Sequence, residues 1–279
     1  MKQKAVVCAL SALFSQHYLY AADVQPAQQV ELAPVLVTAD RNAQTLDKAA
    51  PNVSVIGRKT LNQASAQNLD DIVLYEPGVS VPSDNNRRGH AGINIRGIDD
   101  NRILMMVDGV RIPESYEGGG SNGAISGRDM VESDTLKQVD IVKGPYSALY
   151  GSDALGGVVN MVTLSPSDFV DAGKRGHFGL KYGYRSRDRS HGVTATAAGF
   201  HENAEGLLML TRRQGHETEN MGGDKSYSTS RTATNPQKNN AYNILAKGSI
   251  GNERRRFETL YEQYYHANDT VLANGLGSQ

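Results

Sequence analysis

His177-Phe-Gly-Leu-Lys-Tyr-Gly-Tyr-Arg-Ser-Arg187 alternates two chemistries. Phe178, Leu180, Tyr182 and Tyr184 fall on one face of an extended chain, and Lys181, Arg185 and Arg187 fall partly on the other. A period of two is the side-chain period of a β-strand. Residues 192–201, 205–218, 240–251 and 255–266 are segments of similar length. In the last, Phe257, Thr259, Tyr261, Gln263 and Tyr265 oppose Glu258, Leu260, Glu262 and Tyr264. Tyrosines gather at the strand ends. Alternating strands of about ten residues with polar links and aromatic ends are the pattern of a transmembrane β-barrel. A soluble sandwich carries the same pattern, so the choice turns on whether the chain is exported.

The N-terminus answers that question. Lys2 and Lys4 precede an apolar run over residues 5–14, and small residues follow at Ala21 and Ala22. This reads as a secretory signal peptide over residues 1–22, although Tyr20 is bulky for a position three residues before the cut. Cys8 is the one cysteine of the 279 residues and lies inside the apolar run. The processed chain would hold no disulfide and no thiolate metal site. No stretch reaches the ~18 apolar residues a membrane helix needs, so the strands must carry any span. A net charge of −1 gives no reason to expect a nucleic-acid partner.

Between these regions the texture is mixed. Residues 23–30 form a Gln- and Ala-rich lead without periodicity. Pro34-Val-Leu-Val-Thr-Ala-Asp-Arg41 is a short β-prone run that Pro34 keeps from being a central strand. It suits an edge donated to a partner's sheet, and equally an ordinary first strand. Asn68 is placed to cap a helix with Leu69, Ile72 and Val73 on one face, and Glu76-Pro77-Gly78 stops it. Short strands follow at 93–97, at 103–107 before an Asp108-Gly109 turn, and at 139–144. Polar, Gly-rich loops cover 82–92 and 113–128. The expected fold is an α+β domain followed by the first strands of an antiparallel transmembrane β-barrel. Five strands cannot close a barrel, and an open edge in hydrocarbon costs on the order of several kcal/mol for each unpaired backbone group. The chain is therefore expected to be a fragment, or the product of an interrupted gene.

The order of these pieces resembles the TonB-dependent outer-membrane receptors. The resemblance is carried by Pro34–Arg41, by Asn68-Leu-Asp-Asp-Ile-Val-Leu-Tyr-Glu-Pro-Gly-Val79 and by Ile93-Asn-Ile-Arg-Gly97. Val107-Asp-Gly-Val-Arg111, Val139-Asp-Ile-Val-Lys-Gly-Pro145 and Tyr150-Gly-Ser-Asp-Ala-Leu-Gly-Gly-Val-Val-Asn160 complete it. Lys143 departs from the arginine of many members, keeping the charge and losing the bidentate fork. The family implies a plug domain, here 46–165, inside a 22-stranded barrel whose first five or so strands occupy 166–279. It also implies a flexible segment, 23–45, with a TonB box at Val35, Leu36, Val37, Thr38 and Ala39 that pairs with TonB by strand addition. The inner-membrane complex behind TonB would power uptake across the Gram-negative outer membrane, whose lipid surrounds the barrel. No enzyme is expected. Residues 210–219 resemble the haemoglobin and haem receptor branch, which implies haem or a ferric complex as transported ligand, no intrinsic cofactor, and a host haem protein as partner. A ferric-siderophore receptor and a non-transporting exported fragment are the alternatives.

Ligand candidates follow from side-chain chemistry. His90 with Arg87 and Arg88 offers an imidazole for iron and guanidinium groups for propionates, or is a solvated loop. Tyr116 lies in the later loop, and His216 sits beside Arg212, Arg213 and Glu217. Residues 118–123 match G-x-G-x-x-G but follow no strand and open no helix, which excludes a dinucleotide site. Asp99, Asp100, Asp108 and Asp129 are too scattered for a calcium loop, and His201-Glu202 lacks the second histidine of a zinc-protease helix.

Overall fold

The Asn68 side chain starts a helix. Its Oδ1 accepts from the Asp71 N–H at 2.9 Å, satisfying one of the donors that a helix leaves free in its first turn. Asp71 Oδ2 in turn accepts from the Gln67 N–H at 3.0 Å. The helix runs Leu69–Val73 and buries Leu69, Ile72 and Val73, as the pattern predicts.

The computed structural model describes residues 35–36, 44–45, 52–81, 92–114, 128, 131–169, 175–252 and 255–273. The chain divides into Met1–Ala33 and Pro34–Gln279. The first unit lies outside the described residues, and with it the expected signal peptide and lead. So do Val37, Thr38, Ala39, Arg87, Arg88, His90, Tyr116 and the glycine-rich run 118–123.

The second unit begins with β1 (Val35–Leu36), β2 (Gln44–Thr45), β3 (Val53–Gly57), α1 (Arg58–Gln63) and α2 (Leu69–Val73). Then come β4 (Val79–Ser80), β5 (Asn94–Ile95), β6 (Ile103–Val107), β7 (Val110–Arg111), β8 (Leu136–Lys143), α3 (Ser147–Tyr150) and β9 (Gly157–Thr163). The wall strands are β10 (Gly176–Arg185), β11 (Ser190–His201), β12 (Ala204–His216), β13 (Gln237–Asn252) and β14 (Arg255–Thr270).

The plug is built on a sheet in the order β3-β8-β9-β6-β7, parallel between β6 and β9 and antiparallel elsewhere. Its central strands are covered on both faces. Ile103 and Met105 pack with Leu69, Ile72, Val139 and Ile141 on one side. Leu104 and Met106 pack with Val142, Tyr150 and Val158 on the other. That is why 103–107 reads as an unbroken apolar run. Each such side chain contributes about 1.5–3 kcal/mol by leaving water. Asp108 and Gly109, at φ 47° and 80°, form the expected tight turn. β8 starts three residues before the expected Val139, because Leu136 is buried and pairs with Thr163. The Gly156-Gly157 pair is set by close approach: a Cβ would stand 2.5 Å from Ile103 Cδ1 at Gly156 and 2.5 Å from the Val142 carbonyl oxygen at Gly157.

The wall is a second sheet, β10-β11-β12-β13-β14, antiparallel throughout. All five strands fall where the alternation predicts them, with β13 and β14 running a few residues further. Cross-strand partners share a face, so the register sorts the side chains into rows. One row is Phe178, Ala197, Leu208, Ala246 and Tyr261, and the next is Leu180, Ala195, Leu210, Ile244 and Gln263. This face points away from the plug. The opposite face buries Thr194, Thr196, Thr211 and Asn243 together with Leu207, Met209 and Leu245. From Phe257 to Tyr265 the outward band covers about 27 Å of strand at ~3.4 Å per residue. With a tilt near 40° it stands about 21 Å tall, close to the apolar belt of ~25 Å around outer-membrane barrels.

Candidate ligand cleft where plug meets wall

The family-like motifs hold the plug together. Arg96 donates to Asn52 Oδ1 at 2.9 Å, and its own N–H donates to the Gly78 carbonyl at 2.9 Å. Arg111 reaches Asp153 Oδ2 at 2.7 Å and the Tyr150 carbonyl, tying the β7 hairpin to α3. Lys143 donates to Glu76 and, at 3.0 Å, to the Pro77 carbonyl. Those two single contacts replace the fork that an arginine would supply. Asp108 accepts from the Thr163 N–H at 2.8 Å while Asn160 Oδ1 accepts from the Gly109 N–H at 3.1 Å. These residues are architectural.

A second set of polar groups joins plug to wall. A one-turn 3-10 helix, Ser133–Thr135, precedes β8, and Glu132 accepts from its Asp134 N–H. Arg213 on β12 donates from Nε to Glu132 Oε2 at 2.9 Å and from Nη2 to Oε1 at 2.5 Å, and its Nη2 lies 3.0 Å from Asp134 Oδ2. Lys181 on β10 reaches Asp134 Oδ1 at 2.6 Å, and Thr194 on β11 donates to its Oδ2 at 2.7 Å. Arg58 donates to the Ser133 and Leu136 carbonyls at 2.8 and 2.9 Å. Glu132 and Asp134 are almost fully buried. Burial pushes the Asp134 carboxyl up, but Arg213, Lys181 and Thr194 outweigh it and hold the group below the usual carboxylate range. Elsewhere Arg185 on β10 pairs with Asp71 at 2.5 Å, and Lys247 on β13 pairs with Asp108 at 3.0 Å.

The wall has two unlike ends. At one, the connections are residues 202–203 and 253–254; at the other they are 186–189 and 217–236. Outer-membrane barrels keep short turns on the periplasmic side and longer loops outside, which orients the sheet. A cleft of about 160 Å³ opens at the long-loop end. From the plug it is bordered by Gln67, Asp70, Val81 and Val131. Val81 directly precedes residues 82–91 and Val131 directly follows residues 129–130, which lie outside the described residues. From the wall it is bordered by Arg187, Arg213, Asn239, Tyr264 and His266.

The predicted site residues are distributed unevenly. Val35 and Leu36 pair with Thr45 and Gln44, as an edge of only two rungs. His216 ends β12, is exposed and borders the cleft mouth. Its alternation with Leu208, Leu210 and Arg212 places it on the outward parity, whereas Arg213 turns inward to Glu132. The structure therefore separates two neighbours that the sequence had grouped. Tyr264 and His266 share the inward parity with Glu262 and line the cleft. Extending the alternation of β14 by two residues would have found His266.

Residues 45–158 match the family model described as TonB-dependent Receptor Plug Domain. The Hemoglobin-haptoglobin utilization protein B of Neisseria meningitidis serogroup C is 34% identical over 221 residues, 77% of this chain and 26% of that protein. Transferrin-binding protein A of Neisseria meningitidis serogroup B is 32% identical over 212 residues, 71% of this chain and 23% of that protein. Among solved structures, a double mutant of the Serratia marcescens hemophore receptor HasR, in complex with its hemophore HasA and heme, superposes with a TM-score of 0.62 at 24% identity. That match covers 78% of this chain and 32% of the receptor. The chain spans roughly a quarter of the length of these curated relatives. A plug carrying the family's motifs, keyed by buried ion pairs to an alternating wall, and this set of relatives establish that the chain belongs to the TonB-dependent receptors.

Proposed function

We propose that this chain is the plug and first wall strands of a receptor that takes up an iron-containing ligand, haem or haemoglobin iron, across the Gram-negative outer membrane. The observation that carries the reading is the cleft between Val81, Val131 and the inward wall residues Arg187, Tyr264 and His266, at the end that carries the long loop. A guanidinium, an aromatic face and an imidazole suit the propionates, ring and iron of a haem. The loop candidates Arg87, Arg88, His90 and Tyr116, and His216 at the mouth, would complete the site. The relative named for haemoglobin–haptoglobin utilisation supports this cargo. The relative named for transferrin binding supports a second reading at nearly equal identity, iron delivered from another carrier; a ferric siderophore or another metal complex belongs to the same alternative.

On this reading residues 1–22 direct export, 23–45 hold the TonB box at Val35–Ala39, 46–165 form the plug and 166–279 begin the barrel. TonB, driven by its inner-membrane complex, pairs with the box by strand addition, and a host haem protein docks outside. The two-rung pairing of β1 with β2 supports a readily exchanged edge. Deleting the intact gene and growing cells on haem, on haemoglobin or on a ferric siderophore as sole iron source tests the cargo. Loss of growth on haem alone is expected, and unchanged haem growth overturns it. Recovery as a soluble periplasmic species, rather than a heat-modifiable outer-membrane band, would leave only the non-transporting exported fragment.

A further inference from the structure

Two clefts between plug and wall lie against the same two strands. The upper one is bordered by Asn239 and Ala241 of β13 and by Tyr264 and His266 of β14. The lower one, of about 340 Å³, opens near the short-turn end. It is bordered by Lys247 and Ser249 of β13 and by Thr259 and Leu260 of β14, with Asp108, Ser165 and Pro166 on the plug side. Tyr264 and Leu260 are four residues apart on one strand, about 14 Å at ~3.4 Å per residue. The inward row between them separates the clefts. In it Thr196, Met209, Leu245 and Glu262 are cross-strand partners. Leu245 is fully buried and shares an apolar cluster with Met209 and with Leu164, the residue that follows plug strand β9. The Leu164 N–H donates to the Thr135 carbonyl at 2.7 Å, which fixes it to the plug. Glu262 accepts from Asn243 Nδ2 at 3.2 Å, and Asn243 Oδ1 is buried and meets no donor among the described residues. On β10 to β12, by contrast, Lys181, Arg185, Thr194 and Arg213 are committed to ion pairs and hydrogen bonds with the plug.

We propose that cargo passes the plug along β13 and β14, and that Leu164 against Leu245 is the stop dividing one passage into the two clefts. The inference rests on reading the chain as part of a transporter and is independent of which iron ligand is carried. An apolar contact suits a stop, because the hydrophobic effect holds it closed and no buried charge is uncovered when it parts. Parting it leaves the Asp71–Arg185 and Asp108–Lys247 pairs intact. The strip it would uncover carries Tyr264, Asn243 and Glu262, polar groups able to exchange hydrogen bonds with a passing ligand.

The test uses the full-length receptor, with haem and a ferric siderophore as the two probes. Leu164→Cys with Leu245→Cys, joined by oxidation, is expected to lower uptake of the probe that wild type carries at least tenfold. Binding of that probe at the cell surface is expected to persist, and reductant to restore its uptake. Asp71→Cys with Arg185→Cys, joined in the same way on β10, is expected to leave uptake running. Leu164→Ala shortens the stop and is expected to raise the ion conductance of the receptor in planar bilayers at least threefold. Leu104→Ala makes the same truncation on the other face of the plug sheet and is expected to leave conductance at the wild-type level. Heat-modifiability of each variant reports folding, and the two alanine variants serve if the cysteine pair fails to fold or to join. Unchanged uptake with Leu164 and Leu245 joined, equal loss in the β10 pair, or equal conductance in the two alanine variants would each overturn the proposal. A wild type that carries neither probe removes the transporter reading itself, and this passage with it.

Discussion

The two sheets of this molecule solve opposite problems. The plug sheet is apolar inside and covered on both faces, so its strands read as solid runs such as Ile103-Leu-Met-Met-Val107. The wall sheet is apolar on the face that looks away and largely polar on the face that looks in, where Thr211 and Asn243 are buried and Thr194 and Arg213 meet the plug. The contrast teaches where specificity resides. Apolar packing holds the plug sheet's own architecture, while charged and hydroxyl groups register it against the wall beside one apolar contact, where Leu164 meets Leu207, Met209 and Leu245. Neighbouring residues Ala246 and Lys247 show the division at a single step: the first belongs to the outward row of Leu208, and the second donates to Asp108 and to the Thr163 carbonyl at 3.2 Å.

Breaking the contact between the sheets should have the largest effect. Arg213→Ala leaves Glu132 buried without its bidentate partner, and removal of one member of such a pair typically costs ~3–5 kcal/mol. Thermal unfolding of the detergent-purified receptor would record it, and a loss below about 1 kcal/mol would show that the network is not needed. Inverting the wall comes next. Leu208→Lys places a charge in the middle row of the outward band, at a cost of about 2–4 kcal/mol near the bilayer centre; folding into vesicles measured against urea should reveal it.

A gentler probe is acid. Asp134 is held below its ordinary value of 3.8, so the unfolded chain takes up that proton first. The stabilisation is complete above about pH 4 and is lost as pH falls through the lowered folded value. The protection of β8 amides, taken as their hydrogen-exchange rate relative to the intrinsic rate at each pH, should fall over that acid range. Protection that stays unchanged would remove Asp134 from the account. The smallest effect should stay inside the plug: Asn68→Ala removes a helix cap worth about 1 kcal/mol, with wall strands unaffected in the same exchange experiment.

Local chemistry was legible wherever one side chain decided one structure. The Asn68 cap, the Asp108-Gly109 turn and the alternation of β10 through β14 all follow from neighbours in sequence. What sequence could not supply were the meetings of distant residues. Arg213 and Glu132 are 81 positions apart, and Asp71 and Arg185 are 114 apart. The glycines at 156 and 157 make sense only once Ile103 and Val142 are seen beside them. The 217–236 connection also hides its order, since Arg231 donates to the carbonyls of Lys225, Ala233 and Thr234 with no periodic signal to announce it. Of the candidate site, His216 was legible as a strand residue, but which parity faces the plug was not, because that is set by Arg213 meeting Glu132 across 81 positions.

Asp71 grips Arg185 near the upper end of the wall, and Asp108 grips Lys247 nearer the lower end. A stopper fastened at two heights cannot tip like a hinged lid. Rocking one sheet against the other therefore has to break both pairs at once, whereas a local change in the chain between them need break neither.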